Sequence, residues 1–125
     1  PGRLIKFGVR SGTREEWVWM RRHGTVHPLT PEVVRQALAR HAGSPIYLTL
    51  DLDVLEPGEF PGTGTPEPGG VRFGELAECI VLLRREGARI VALDVVELTP
   101  MLDPSGASSL AAAKAVRELL LALPA

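Results

Sequence analysis

Two aspartates one residue apart, Asp51 and Asp53, carry the chain's clearest chemistry. They close the apolar run Tyr47-Leu48-Thr49-Leu50 and precede a loop rich in Pro, Gly and Thr. Such a run, bounded by turn residues, predicts a buried strand. Alternation along a strand puts residues i and i+2 on one side. Asp51 and Asp53 are therefore expected as two carboxylates on one face, at the strand's carboxyl end, where open α/β sheets bind ligands. Unpaired carboxylates this close repel each other and lose hydration. A hard divalent cation such as Mn²⁺ or Mg²⁺ takes oxygen ligands and resolves both problems. By spacing alone, a solvated turn or the capping of backbone amides is the commoner outcome. Glu97 is the next acid of interest, at the carboxyl end of the following predicted strand; its bland alternative is a surface or helix-capping acid.

Caps and periodicity set out the elements that must position these acids. Leu4 to Val9 predicts a short strand, stopped by the turn that begins at Gly8. Thr13 and Glu16 have the spacing of a capping box. They open a helix over about Arg14–Arg22, ended by Gly24. The alternation Trp17-Val18-Trp19-Met20 leaves a strand as the alternative there. Thr25–His27 reads as a short edge strand. Thr30 caps a second helix, with Pro31 at its first position and Glu32 in its first turn. Val33, Val34, Ala37 and Leu38 give this helix an apolar stripe, and Gly43 is its expected stop.

Ile46–Leu50 is the central strand, and residues 54–70 form a long loop. A helix over about Phe73–Arg85 follows, with Leu76, Ile80 and Leu83 at helical spacing and Gly87 as its stop. Arg89–Val96 predicts another strand. It is continuously apolar from Ile90 to Leu93 and so is expected to be buried on both faces. Ser108 or Ser109 is expected to cap a last, Ala-rich helix running to about Leu121. The order β-α-β-α-β-α, with strands too far apart for hairpins, predicts a mainly parallel sheet in a three-layer α/β/α arrangement.

The 125 residues suit one domain over 1–125. A hydrophobic content of 45% predicts a packed core. The net charge of −1 gives no electrostatic reason for nucleic acid or an anionic membrane as partner. No apolar segment approaches the ~20 residues that cross a bilayer. The single cysteine, Cys79, excludes an internal disulfide, suits a reducing cytosol and falls beside an apolar helical stripe. His23, His27 and His41 follow no metal-ligand spacing. Arg10 is by default a surface residue, with pairing to a buried acid as the alternative. Asp94 reads as a brace for the next segment.

The loop after the aspartates is more specific than the acids themselves. Asp51-Leu52-Asp53, then Pro57, then Pro61-Gly62-Thr63-Gly64-Thr65-Pro66-Glu67-Pro68-Gly69-Gly70, resembles the ureohydrolase family. Asp94-Val95-Val96-Glu97, with Pro100 and Asp103 beyond it, is similar to the family's next segment, and Phe7-Gly8-Val9-Arg10-Ser11 to the strand and turn before both. The resemblance covers essentially the whole chain and corresponds to the carboxyl-terminal part of a family member. It implies a partial arginase-like fold and hydrolysis of a linear amidine's guanidinium C–N bond to urea and an amine. Two Mn²⁺ ions serve that reaction in the family. By motif, Asp51 corresponds to the carboxylate that bridges both metals, Asp53 to a ligand of one, and Glu97 to the acid facing a small guanidinium substrate. The Gly62–Thr65 loop is expected at the pocket mouth.

The form of the loop favours agmatine as substrate, with arginine or guanidinobutyrate as alternatives. Thr49, Glu56 and Thr99 depart from the family's usual Ser, Asp and Asn. The family's two histidine-containing metal motifs, Gly-Gly-Asp-His and Asp-Ala-His-x-Asp, do not occur. Two carboxylates cannot close a two-metal site. The chain alone is therefore expected to be inactive, and to form a homo-oligomer or pair with a chain supplying the missing half. A non-catalytic scaffold remnant is the reading from a different class. A cytoplasmic location is expected.

Overall fold

The computed structural model describes residues 4–123. Local signals fix most of the helices. Thr13 Oγ1 accepts the Glu16 N–H and Glu16 Oε2 accepts the Thr13 N–H (3.2 and 2.7 Å), the two halves of a capping box. They open α1 (Arg14–His23), which Gly24 ends in the left-handed conformation at φ 60°. Thr30 Oγ1 caps α2 (Pro31–Arg40) through the Val33 N–H. This helix closes at His41, two residues before Gly43, which lies in the following turn. α3 (Phe73–Arg85) is held at its start by two acids: Glu75 accepts the Arg72 N–H (2.8 Å) and Glu59 accepts the Phe73 N–H (2.7 Å).

The last helix, α4 (Ala107–Ala122), starts differently from expectation. Gly106, at φ 76°, is its N-cap residue, and neither Ser108 nor Ser109 caps it. Its first amides are met from upstream: Ser105 Oγ accepts the Ala107 N–H and Asp103 Oδ2 accepts the Ser108 N–H. Asp103 reaches the N–H from five residues away, so Ser108 is free to turn its hydroxyl into the interior.

Strands β1 (Lys6–Phe7) and β2 (Val26–His27) pair in parallel, as do β3 (Pro45–Asp51) and β4 (Arg89–Val96). β1 is shorter than the predicted Leu4–Val9, because only two of its residues find partners on β2. The alternation in α1 is helical, not a strand: Met20 is buried and Trp19 is 48% exposed. The parallel strand pairs and their helices agree with a partial α/β/α fold.

One face of β3–β4 meets α3 and α4. Leu48, Leu50, Leu93 and Val95 pack there against a core of Leu76, Ile80, Leu83, Ala112, Ala115 and Leu119. Ala115 is fully buried, so the small side chains of α4 permit close approach. The opposite face carries Tyr47, Thr49 and Asp51, paired with Ala92, Asp94 and Val96. It is open: Tyr47 is 66% exposed and Val91 59%. The expectations of a buried strand over Tyr47–Leu50 and of burial on both faces over Ile90–Leu93 are thus corrected. Val91 lies at a bulge in the register between Ile46 and Tyr47, and the helices cover only one side. On the open face Asp94 accepts hydrogen bonds from the Tyr47 and Thr49 hydroxyls, bracing the two strands to each other.

The loop returns to the sheet through Gly70. Glu56 N–H donates to Val71 O and Val71 N–H donates to Val54 O, a parallel bridge around Leu55. A Cβ on Gly70 would fall 2.4 Å from Leu55 C and 2.5 Å from Glu56 N. Backbone atoms held by these bonds cannot step aside. Gly70→Ala is expected to cost upwards of the ~1–3 kcal/mol typical of overpacking, read as a fall in the urea or thermal midpoint, whereas Gly58→Ala, with open space around it, leaves the midpoint nearly unchanged.

Candidate active site

β3 ends at Asp51, and the chain then tightens into a 3₁₀ turn, Leu52–Val54. Asp53 therefore lies on a turn rather than on the strand, and strand alternation is not what sets its direction. The turn is pinned by Leu52 (0% exposed) and Val54 (8%), which point into the core. Burying a leucine side chain contributes about 1.5–3 kcal/mol. That anchor holds the flanking acids at the surface. Asp51 Oδ1 accepts the Asp53 N–H at 3.2 Å. The capping alternative raised by the spacing is thus real for one oxygen of Asp51. The Asp53 carboxylate accepts a hydrogen bond from the Thr65 hydroxyl at 3.3 Å.

Arg10 braces the turn from the far side. Its guanidinium donates to Asp53 O (2.6 Å) and Val54 O (3.0 Å). Neither the default surface position nor the alternative of pairing with an acid holds: Arg10 pairs with two backbone carbonyls. Arg10→Met keeps the stem and removes both donors. Val54 O keeps the Val71 N–H, so the loss falls on Asp53 O. The variant is expected to lower stability by about 1–3 kcal/mol, the cost of leaving a partly buried acceptor unmet, and to speed amide exchange across Asp53–Leu55.

Glu97 follows directly on β4 and has φ 66°, the sole non-glycine residue with positive φ among the described residues. A left-handed conformation costs an L-residue roughly 1–2 kcal/mol, and such strain persists where surrounding structure enforces it. The Glu97 carboxylate lies beside Gly64, 3.8 Å from where a Cβ would stand. The Gly62–Thr65 loop thus touches both sides of the site, Asp53 through Thr65 and Glu97 through Gly64.

Charge confirms the crowding. The Asp51 carboxyl is pushed above the usual aspartate range, first by partial loss of hydration, then by the negative charges of Asp53 and Glu97, against the opposing Asp53 N–H. None of the three acids forms a salt bridge among the described residues. Three carboxylates share a region of negative potential that a cation would relieve, so Asp51 and Asp53 fit a divalent ion as two of its ligands. Among the described residues no third His, Cys, Asp or Glu joins them in a ligand group.

The other polar candidates lie elsewhere. His23 stacks on Trp19 with centroids 4.4 Å apart, and His27 faces Phe7 at 6.0 Å. Cys79 is buried in the core, and burial pushes its thiol up to about 11. A cleft of about 460 Å³ between the ends of β1, β2 and residues 69–71 is lined by Arg10 and Glu75 but by none of the three acids.

Sequence reasoning missed the bond from Thr65 to Asp53, the carbonyl grip of Arg10, and the buried pairing of Asp103 with Ser108. Asp103-Pro104-Ser105 before a helix was the available signal for the last pair, since Asp and Ser there favour local turns and caps. Asp103 accepts hydrogen bonds from Ser105 and Ser108 and is held down at about 2, from an ordinary 3.8. A depressed acid stabilises the fold when ionised. This contribution is complete above pH ~4 and is lost as pH falls through about 2. In Asp103→Asn the acid limb of a stability–pH curve is expected to flatten over that window.

The chain thus gathers acids at and just beyond the carboxyl ends of two adjacent parallel strands. The chain belongs to the arginase family, whose model matches residues 1–122. It is 40% identical to the agmatinase of Bacillus cereus over 123 residues, covering 97% of this chain and 42% of that protein. It superposes on the crystal structure of a Clostridium difficile protein assigned as an agmatinase with TM-score 0.89 and 40% identity, covering 95% of this chain and 44% of that one. Arginase from Bacillus subtilis matches with TM-score 0.87 and 28% identity over 96% of this chain and 46% of that one. The fold is accordingly a partial arginase-like fold. The chain spans less than half the length of these relatives.

Proposed function

We propose that this chain forms part of an agmatinase-like ureohydrolase, which hydrolyses the guanidinium C–N bond of agmatine to urea and an amine. The observation that carries this reading is the grouping of Asp51 with Asp53 and Glu97, the latter two against the Gly62–Thr65 loop, without a salt bridge among the described residues. The 40% identity to an agmatinase supports agmatine over arginine.

In this reading Asp51 and Asp53 are the residues of this chain that would hold manganese. When bound, the metal pair supplies Lewis acidity and lowers the pKa of water at the site. Thr65 orients the Asp53 carboxylate, and the Asp53 N–H orients that of Asp51. Glu97 accepts paired hydrogen bonds from the planar guanidinium cation and fixes it for attack. Its left-handed backbone aims the carboxylate alongside Gly64, whose lack of a side chain leaves room for the substrate.

Further ligands come from a segment outside this chain. The open face of β3–β4 supports this, because Asp51 shares it with the exposed Tyr47, and a segment covering the apolar patch would reach the acids. Urea release decides the matter. With Mn²⁺ and agmatine, the chain alone is expected to release none. The completed enzyme, meaning this chain with the segment that supplies the remaining ligands, is expected to turn over agmatine well ahead of arginine and guanidinobutyrate. Equal turnover of arginine would remove the substrate assignment; release by the chain alone would remove the need for outside ligands.

A further inference from the structure

The strained backbone of Glu97 needs something to hold it, and the structure supplies a connected set of hydrogen bonds. Thr99, two residues on, donates its N–H to Gly62 O at 2.7 Å. Gly62 in turn donates its N–H to Ser108 Oγ at 2.8 Å. Ser108 is fully buried, and its own N–H donates to Asp103 Oδ2 at 2.7 Å. Asp103 is 7% exposed, and its other oxygen accepts from Ser105 N–H and Oγ–H at 3.1 and 2.5 Å. A carboxylate so surrounded by donors stays ionised and rigid. Contact adds to the bonding. A Cβ on Gly62 would lie 2.7 Å from Ser108 Cβ and 3.0 Å from Asp103 Cβ, so the loop is seated directly on the start of α4.

We propose that Asp103 is a positioning residue for Glu97, acting through Ser108 and Gly62 to fix the turn after β4 and the Gly64 wall beside the Glu97 carboxylate. The proposal rests on the reading of Glu97 as the acid that receives the guanidinium group. Asp51 and Asp53 are held chiefly apart from the relay, by the buried Leu52 between them and by Arg10 on the Asp53 carbonyl; the loop reaches Asp53 only through the 3.3 Å bond from Thr65, so the relay bears mainly on substrate binding.

The test uses the completed enzyme with Mn²⁺ and agmatine, and three variants: Glu97→Gln, Ser108→Ala and Asp103→Asn. Ser108→Ala and Asp103→Asn are each expected to raise KM by up to about 10-fold, what losing one hydrogen bond's contribution amounts to. Mn²⁺ affinity stays within about twofold in both, and Thr99 amide exchange quickens. A merely structural role would instead lower kcat and the metal-loaded fraction together at unchanged KM, and would overturn the proposal. If Glu97→Gln leaves KM unchanged, the reading of Glu97 falls and the proposal with it. If Glu97→Gln raises KM while Ser108→Ala does not, the reading stands and the proposal alone falls. Should Asp103→Asn not fold, Ser108→Ala decides alone. Failure of Ser108→Ala to fold also overturns the proposal, since its hydroxyl would then be supporting the domain rather than aiming one acid.

Discussion

Asp51→Asn and Asp53→Asn are each expected to abolish urea release by the completed enzyme and to reduce its bound manganese, measured by atomic absorption after dialysis. Losing a partner that merely supports a metal ligand costs about 10–100-fold in affinity or activity. Losing a ligand itself should exceed the upper end of that range. The effect on the metal-free fold has the opposite sign. The Asp51 carboxyl is raised above its ordinary value, so its ionised form opposes folding at neutral pH. Asn removes that charge and keeps an oxygen to accept the Asp53 N–H, so the thermal midpoint of metal-free Asp51→Asn should rise slightly above wild type. Retained manganese in both variants would show that the acids are a solvated cluster with no metal role. A fall in metal-free stability would show that Asp51 belongs to the fold rather than to a site.

Glu97 carries the second large effect. In Glu97→Gln the guanidinium loses a charged acceptor, and hydrogen bonds to charged groups contribute about 1.5–3 kcal/mol. The expected result is a rise in KM for agmatine of roughly 10- to 100-fold, with manganese content preserved. Glu97→Gly separates the backbone from the side chain. Glycine adopts φ 66° without penalty, so the variant should be more stable than wild type by up to about 1 kcal/mol while losing the same binding. Greater stability with poorer binding is the pattern expected where strain is kept for function. A Glu97→Gly protein that is less stable and binds agmatine as well as wild type would place Glu97 among structural residues.

The resemblance of the Asp51–Gly70 loop to the ureohydrolases was legible because it is carried by contiguous residue types, and the arginase-family match over residues 1–122 agrees with it. The direction of each acid was not legible in the same way. Asp53 was expected on a strand and lies on a 3₁₀ turn, because Leu52 and Val54 both find the core and force the chain to tighten. Arg10 was considered as a partner for a buried acid and instead grips the two carbonyls which that turn exposes. Nothing near Arg10 in sequence announces a carbonyl more than forty positions away.

What the sequence determined by itself is the local order: α3 over Phe73–Arg85, β4 over Arg89–Val96, and the starts of α1 and α2 at Thr13 and Thr30. Capping, stopping and periodicity act within a few residues, so the amino acids that cause them stand next to what they cause. The tertiary structure decided which face of β3–β4 is covered and where the loop meets the strand ends. It also decided that Ser108, expected as a cap, is buried against Gly62 while Asp103 does the capping from upstream. Those outcomes depend on which distant surfaces come into contact. A Val-Ala-Leu run reads the same whether one helix layer packs on it or two, and an acid becomes part of a site only when the fold brings other acids to its side.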